Sequence, residues 1–468
     1  MDIKTAKRIH FSGIKGVGMT ALALYAQDRG IRISGSDVAD QFVTEKILTK
    51  RRIEVAEGFA AENLNKDVDL LVYSGARPQN PEVKAAQRLG IRTLNYAQAL
   101  AQMVSDKAVI ATCGVGGKST TAAMLATILS RTGRKPSFVV GVGNILGLGV
   151  PGRYQPGKLA VVEADDYVAV SGIDNSPKFL YLNPMITIVT NIEFDHPDVY
   201  RNLEETKRAF QAFFLRLPKG GVLIGNIDSP AVQSLFQSFP KQGKNVEVIP
   251  YGFSPQASWR IQKVVMEGGR TEVRLTVAGI RLKLALRVPG KFNAANATAA
   301  LIAATQLGVA QTESIKALEE YQGTMRRFQP VGIIRGIEVW DDYAHHPKEI
   351  TATLSAARKW FPNRRIVAVF QPHTYSRTKA LLPEFAKALS LADEAIVTDI
   401  YGSAREAKDP TISGRDVARI AAQVNPRVRY CKKDHVLEYL KQKTGQGDVV
   451  LTLGAGDIYR VGWDFVRK

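Results

Sequence analysis

Only two cysteines, Cys113 and Cys431, occur among the 468 residues, too few for a disulfide framework and in keeping with a reducing compartment. Long apolar runs are missing as well: nothing approaches the roughly 20 uninterrupted apolar residues that a bilayer-spanning helix needs. The N-terminal stretch MDIKTAKRIHFSG carries charges but no apolar signal core, so it does not read as an export signal. These absences point to a cytoplasmic protein with no membrane partner. There is no low-complexity segment, no obvious repeat and no tract of five or six basic residues. No zinc-finger spacing, aromatic single-strand platform or RNA-recognition signature occurs either. That bears on the net charge of +19, which calls for anionic partners. Nucleotides or nucleotide-linked sugars answer it better than nucleic acid, and most of the charge reads as solvated surface.

What is present is an α/β pattern of a length that implies about three domains. In residues 1–105, RIHFSGI, IRISGSD, VDLLVYSG and IRTLN read as strands. GMTALALYAQDRG and NPEVKAAQRLG read as the helices between them, the alternation of a parallel, Rossmann-like sheet. Residues 106–322 begin with the strand AVIATCG and include KLAVVEAD and MITIVTNIE, apolar runs that end in acids. From about 245 to 290, NVEVIPYGF, TEVRLTVAG and RLKLALRVPG predict an antiparallel excursion, followed by the helix NAANATAALIAATQLG. Residues 323–468 return to α/β, with IEVWDDYA, RIVAVFQP, EAIVTDIY and DVVLTLGAG as strands.

The stretch VIATCGVGGKSTTAAML, Val109 to Leu125, places a glycine-rich turn between strand and helix. A standard phosphate loop is G-x-x-x-x-G-K-[ST], but Thr112 stands where its first glycine belongs. Backbone N–H groups at such a turn cradle phosphates, Lys118 adds charge near the β/γ-phosphates, and the Ser119 hydroxyl can reach magnesium. An ordinary βα turn is the alternative. A second turn, Gly13 to Gly18 in GIKGVGMTA, also joins strand to helix, with Asp37 ending the next strand. It suggests a dinucleotide or nucleotide-sugar pocket with Asp37 on a hydroxyl, or a purely structural turn. Acidic clusters close two strands of the middle segment: Glu163, Asp165 and Asp166, then Glu193, Asp195 and His196. Beside a triphosphate they are magnesium ligands; otherwise they cap loops, and His196 is a surface histidine. DDYAHHPKEI and FQPHTYSRTKAL put acids, Tyr343, His345, His346, His373 and Arg377 after strands, so that four of the six histidines fall in strand-end clusters. Zinc is the rival reading, though closed-site spacing is missing.

With these motifs in order, the chain resembles the Mur ligase family over essentially its whole length. HFSGIKGVGMTALA with SGSD, EAD, TNIEFDHPDVY, GTMRRFQPVG, DDYAHHP, FQPHTYSRTKAL, TDIYGSARE and LGAGDI carry the resemblance. The pairing of QPH with DDYAHHP is similar to the alanine-adding branch. The resemblance implies a Rossmann-like UDP-sugar domain at 1–105, a central P-loop ATPase domain with an antiparallel sheet insertion at 106–322, and a Rossmann-like amino-acid domain at 323–468. It implies ATP and Mg2+ as cofactors, UDP-N-acetylmuramate and L-alanine as substrates, a monomer or homodimer, and closure by the C-terminal domain. The family loop G-T-H-G-K-T-T has no glycine at the Thr112 position either. Gly114, Gly117 and Lys118 keep its pattern, Ser119 replaces threonine, and Val115 and Gly116 replace Thr-His.

By this resemblance Gly114, Val115, Gly116, Gly117, Lys118, Ser119 and Thr120 form the ATP loop. Asn293, Arg327 and Asp342 hold base, phosphate and ribose. Gly13, Gly16, Gly18, Met19, Asp37 and Ser74 bind the UDP-sugar. Tyr343, His345, His373 and Arg377 line the amino-acid pocket, with Arg377 a bidentate partner for the alanine carboxylate. Lys118, His196, His345 and Arg377 are the expected catalytic residues, and Ser119, Glu163 and His196 the expected metal ligands, with a second magnesium at the substrate carboxylate. Asp166 stands where the family has glutamate, Phe292 where it has histidine, and Thr374 where relatives can have a second basic residue. These departures leave open a degenerate, non-catalytic UDP-sugar/ATP-binding paralogue; a second reading is a murein peptide recycling ligase of the same superfamily, set apart by substrate choice.

Overall fold

The computed structural model describes residues 3–239, 245–402 and 406–467. Residues 403–405, inside the TDIYGSARE stretch, lie outside the described residues. Three α/β units follow one another along the chain. The first sheet has five parallel strands in the order Glu54–Glu57, Arg32–Asp37, Arg8–Ser12, Leu70–Tyr73, Arg92–Asn95. Its order turns back at the strand Arg8–Ser12, the kind of switch point where doubly wound sheets bind ligands. The edge strand Glu54–Glu57 escapes the sequence reading because EVAE is short and polar, with no apolar face to bury.

The second sheet has ten strands around Ala108–Cys113, which lies between Ile186–Val189 and Leu159–Glu163 and runs parallel to both. These strands are covered on both faces, which is why VIATC, LAVVE and ITIV read as near-continuous apolar runs. One expectation is corrected here. NVEVIPYGF forms the strand Glu247–Gly252, which pairs parallel to Val222–Asn226, and is not part of the antiparallel excursion. The excursion is Trp259–Glu267, Arg270–Val277 and Ile280–Leu286. Alternating polarity marks a half-exposed strand but carries no information on direction. A separate hairpin, Val168–Val170 with Asp174–Pro177, stands off the main sheet. The third sheet has six strands, parallel except for its edge, where Gln329–Ile334 runs antiparallel to Ile337–Asp342.

A single contiguous core joins the first two units, and the third packs around cores of its own. The seam is tight: a Cβ on Gly152 would meet the Ala21 carbonyl at 1.9 Å, and Tyr25 packs edge-on against Tyr154 at 5.5 Å. The helix Lys118–Arg131 lies against the alanine-rich helix Lys291–Gln306, which is buried from Asn293 to Ala304. Small side chains let those two helices approach closely. The third unit meets the others through polar contacts at the clefts described next, Arg377 to Asp195 and Arg327 to Ser119 among them, and through Phe292, which packs on its core.

Candidate active site

The strand Ala108–Cys113 delivers the chain into the turn Gly114–Gly117, and the helix Lys118–Arg131 leaves it. A Cβ on Gly114 would sit 2.2 Å from the Thr190 hydroxyl, and one on Gly117 2.5 Å from Asn296 Oδ1. Both residues also have positive φ, +131° and +87°, so a side chain at either is blocked and strained. Thr112 donates its hydroxyl to the Lys118 carbonyl at 3.1 Å, tying the helix start back to the strand. Gly116 N–H is held by Asn191 Oδ1 at 3.0 Å. The first helical turn presents N–H groups without intrahelical acceptors, the backbone chemistry of a phosphate site.

Lys118 Nζ lies 3.1 Å from Asp166 Oδ1 and 3.5 Å from Asp165 Oδ1. Burial works against its charge, but Asp166, Asp165 and Glu163 outweigh burial and raise its pKa above the ordinary value. Burial pushes Asp166 up in spite of Lys118, with Asp165 and Asp195 adding repulsion. The second oxygen of Asp166 is buried and has no hydrogen-bond partner. For Asp165, burial is overcome by Lys178 and Lys118, which hold it well below the carboxylate range.

Two clefts meet at this loop. The first is lined by Val115, Gly116, Gly117 and Thr120, by Asn293 and Asn296, and by Arg327 and Asp342. Asn293 donates to the Pro289 carbonyl at 2.7 Å. Asp342 accepts the Phe328 and Ala344 N–H groups at 2.6 and 2.8 Å, ordering the turn that carries Arg327. Burial raises its pKa to about 6, against the pull of Arg327 and of those two N–H groups. Ser119 is buried, and its hydroxyl accepts from Arg327 Nη2 at 3.3 Å.

The second cleft takes Gly16, Gly18, Met19 and Ser74 from the first unit and Lys118, Glu163 and His196 from the second. Tyr343, His345, His373 and Arg377 reach it from the third. Gly13 lies behind, its N–H on the Ser36 carbonyl at 2.8 Å. Asp37, expected on a ligand hydroxyl, accepts Lys15 N–H at 2.8 Å and Val38 N–H at 2.8 Å, one on each carboxylate oxygen. Its carboxylate therefore holds the glycine turn in shape.

In the third unit's contribution, Arg377 Nε donates to Asp195 Oδ1 at 2.8 Å and Nη1 to the His373 carbonyl at 2.6 Å. Nη2 lies 3.5 Å from His196 Nδ1. The free fork expected for an alanine carboxylate is thus already engaged on two nitrogens, because the buried Asp195 needs a cation. His196 takes a left-handed backbone, φ +55°, and its ring packs on Tyr167 at 4.7 Å. Burial lowers the pKa of His196 to about 3 against the pull of Asp195, and lowers that of His345 to about 4 against Glu349. His346 caps the helix Pro347–Trp360 and its Nε2 lies 3.3 Å from the Phe194 carbonyl, across the seam. Among the described residues no three His, Cys, Asp or Glu side chains converge to hold a metal ion, so Glu163 and His196 offer separate ligands.

Sequence reasoning missed Lys178, which lines the second cleft, as well as Tyr96 and Glu349, and the anchoring role of Asn191. Asn191 sits inside TNIEFDHPDVY and was within reach of motif reading; Lys178 lies outside every motif.

Because His196 is neutral in the fold, acidification below its unfolded pKa of about 6.5 adds a proton to the unfolded chain alone. Folded stability therefore falls as pH drops from about 6.5 toward 3, by up to about 2 kcal/mol at pH 5. His196→Gln lacks this loss, so the Tm gap between wild type and H196Q should narrow between pH 7 and pH 5 in calorimetric scans. A gap that stays constant or widens contradicts the neutral imidazole.

Comparison with known proteins matches residues 8–108 to the Mur ligase family catalytic domain, 113–304 to the Mur ligase middle domain, and 326–456 to the Mur ligase glutamate ligase domain. A UDP-N-acetylmuramate--L-alanine ligase from Syntrophotalea carbinolica is 40% identical over 460 residues, 97% of this chain and 96% of that one. The protein of the same name from Caldanaerobacter subterraneus subsp. tengcongensis is 35% identical over 473 residues, 100% and 99% of the two chains. Among solved structures, the UDP-N-acetylmuramate-alanine ligase of Thermotoga maritima superposes with a TM-score of 0.82 at 27% identity, covering 98% of each chain. A murein peptide ligase from Psychrobacter arcticus shares the fold, with a TM-score of 0.74 at 23% identity over 98% of each chain.

Proposed function

The chain belongs to the Mur ligase family, and we propose that it carries out the reaction of the alanine-adding branch where its two clefts meet. It is an ATP-dependent ligase that joins L-alanine to the carboxylate of UDP-N-acetylmuramate in peptidoglycan precursor synthesis. The observation that carries the residue assignment is the junction itself: Val115, Arg327 and Glu349 line both clefts. A γ-phosphate at the loop is thereby brought face to face with an acceptor in the second cleft. Residues 1–105 hold the UDP-sugar, 106–322 the ATP and 323–468 the amino acid.

A carboxylate does not acylate an amine in water, because oxide is too poor a leaving group. Here a carboxylate oxygen attacks the γ-phosphorus, the bond to the β–γ bridging oxygen breaks, and ADP departs, leaving an acyl phosphate. The alanine nitrogen attacks the acyl carbon, the carbon–oxygen bond to phosphate breaks, and the amine proton leaves with the released phosphate. Such transfers depend on positioning and charge neutralisation. Lys118 and the helix N-terminus meet the phosphate, Arg327 stands between the clefts, and the Nη2 edge of Arg377 meets the alanine carboxylate. Asp195 and the His373 carbonyl keep that guanidinium oriented. His196 and His345, both neutral, act as hydrogen-bond partners, and His196 is free of charge to ligate a metal.

The donor set suits magnesium: the unpartnered Asp166 oxygen, the remaining oxygen of Glu163 and the Ser119 hydroxyl are hard ligands beside the loop. Held by these residues, Mg2+ would supply charge neutralisation. No helix among the described residues is long and apolar enough to cross a membrane, and a reaction that consumes ATP and a UDP-sugar supports a cytoplasmic location.

The test is phosphate release from ATP with UDP-N-acetylmuramate and Mg2+, with and without L-alanine, together with the product mass. Release that needs both substrates and adds one alanine is expected. UDP-sugar binding with no release would favour the non-catalytic paralogue, and release with a peptide alone would favour the recycling ligase.

A further inference from the structure

Two anions must be brought together in this reaction, and the acceptor needs a cation of its own. Four cations line the sugar cleft: Lys118, Lys178, Arg327 and Arg377. Arg327 also lines the nucleotide cleft and donates to Ser119. Arg377 is assigned above to the alanine carboxylate, with two of its nitrogens held by Asp195 and the His373 carbonyl, and Lys118 belongs to the phosphate loop. Lys178 is paired with the carboxylate of Asp165 and has no other role in the reaction as described. We propose that Lys178 is the acceptor-side cation: its ammonium receives the muramoyl carboxylate of the UDP-sugar and stays beside it as it is phosphorylated. This rests on the ligase reading above and assigns a residue to it.

Lys178 is placed for that role by a rigid backbone. It opens the short turn Lys178–Tyr181 that follows the hairpin Val168–Val170/Asp174–Pro177. Its N–H donates to the Tyr167 carbonyl at 2.9 Å, and the next N–H, of Phe179, donates to the Asp165 carbonyl at 3.0 Å. Phe179 is fully buried, stacked on Phe213 at 4.6 Å and edge-on to Phe210 at 5.2 Å. The backbone at Lys178 is thus fixed on both sides, and its side chain lines the cleft.

The hairpin is itself docked on the first unit. Ser171 N–H donates to the Gly75 carbonyl at 3.0 Å, and a Cβ on Gly75 would lie 1.9 Å from the Ala169 carbonyl. Ala97, Ala169 and Val170 close an apolar contact over the same joint. Gly75 and its neighbour Ser74 line the sugar cleft along with Lys178, so one fixed wall carries both the sugar-side loop and the lysine.

Without substrate, Lys178 Nζ rests 2.6 Å from Asp165 Oδ2, while the other oxygen of that carboxylate faces Lys118 at 3.5 Å. One aspartate thus bridges the phosphate-loop lysine and the acceptor-side lysine and keeps them adjacent. The face of Tyr167, 5.3 Å from Nζ, supports the ammonium without neutralising it. A carboxylate entering from the sugar side meets a charge that is already positioned beside Lys118.

Calorimetry on the full chain tests this with a ligand pair that differs in the carboxylate. Lys178→Met should weaken UDP-N-acetylmuramate binding roughly 10- to 100-fold, the range of a hydrogen bond to a charged group. UDP-N-acetylglucosamine, which lacks the carboxylate, should bind wild type and K178M equally, and ATP affinity should hold within about twofold. Lys178→Arg should restore most of the binding. Unchanged UDP-N-acetylmuramate affinity in K178M, or an equal loss for both sugars, overturns the assignment. Failure of alanine-dependent phosphate release in the wild type would instead strike the ligase reading, and the carboxylate-selective binding would still be read.

Discussion

Lys118→Ala is expected to lower the rate of phosphate release about 10³-fold, the upper range for losing one preorganised charge at a reacting group. The lysine is the first residue of the loop helix, is mostly buried, and keeps its proton because three carboxylates surround it. In the alanine variant Asp166 and Asp165 lose that partner and the phosphate site turns net negative, so repulsion of ATP adds to the missing attraction. Single-turnover phosphate release measures the loss, and ATP titration should show weaker binding as well. Turnover within about tenfold of wild type would mean that the phosphate is bound elsewhere.

Arg377→Ala should have the second largest effect, on two readouts at once. Removing one partner of a buried charge pair costs about 3–5 kcal/mol because the other charge is left without compensation. Asp195 is that partner: although burial opposes it, His196 (once protonated) and Arg377 hold its pKa well below the usual range, and at neutral pH, with His196 uncharged, Arg377 is the cation that compensates it. The expected results are a marked drop in Tm and a rise in KM for L-alanine of roughly 100-fold. Arg377→Lys should recover little of either, since one ammonium cannot reach Asp195, the His373 carbonyl and a ligand carboxylate in the planar arrangement of a guanidinium. A KM unchanged in a variant that still folds would remove Arg377 from the amino-acid pocket and leave it as a strut for Asp195.

The loop also clarifies which departures from the family pattern matter. Val115 lacks the hydroxyl and Gly116 the imidazole of the family's Thr-His, whereas the steric need for glycine at 114 and 117 is kept, and the Gly116 N–H is held by Asn191. Asp166 is a different case, because its second oxygen is buried without a hydrogen-bond partner while the first holds Lys118. Phe292 lines the nucleotide cleft, where a flat apolar ring replaces an imidazole without adding charge.

Much of this protein is local and was legible in the chain. Apolar runs ending in acids mark the buried parallel strands, the Gly-Lys-Ser turn marks the strand-to-helix junction where the two clefts meet, and the strand-end histidines mark the third unit's side of the second cleft. Each depends on neighbours within a few residues, where spacing and chemistry are enough. The direction of Glu247–Gly252, the engagement of Asp37 by backbone N–H groups, the occupied fork of Arg377 and the place of Lys178 were not legible. Arg377 meets Asp195 across 182 positions of sequence and Arg327 meets Ser119 across 208; only the packing of three units around one junction sets those pairs. The sequence by itself determined which chemical groups are available and which family they belong to. The tertiary structure decided which of those groups are already satisfied by one another and which still face a ligand, because burial forces every charge to find a partner and the fold chooses who that partner is.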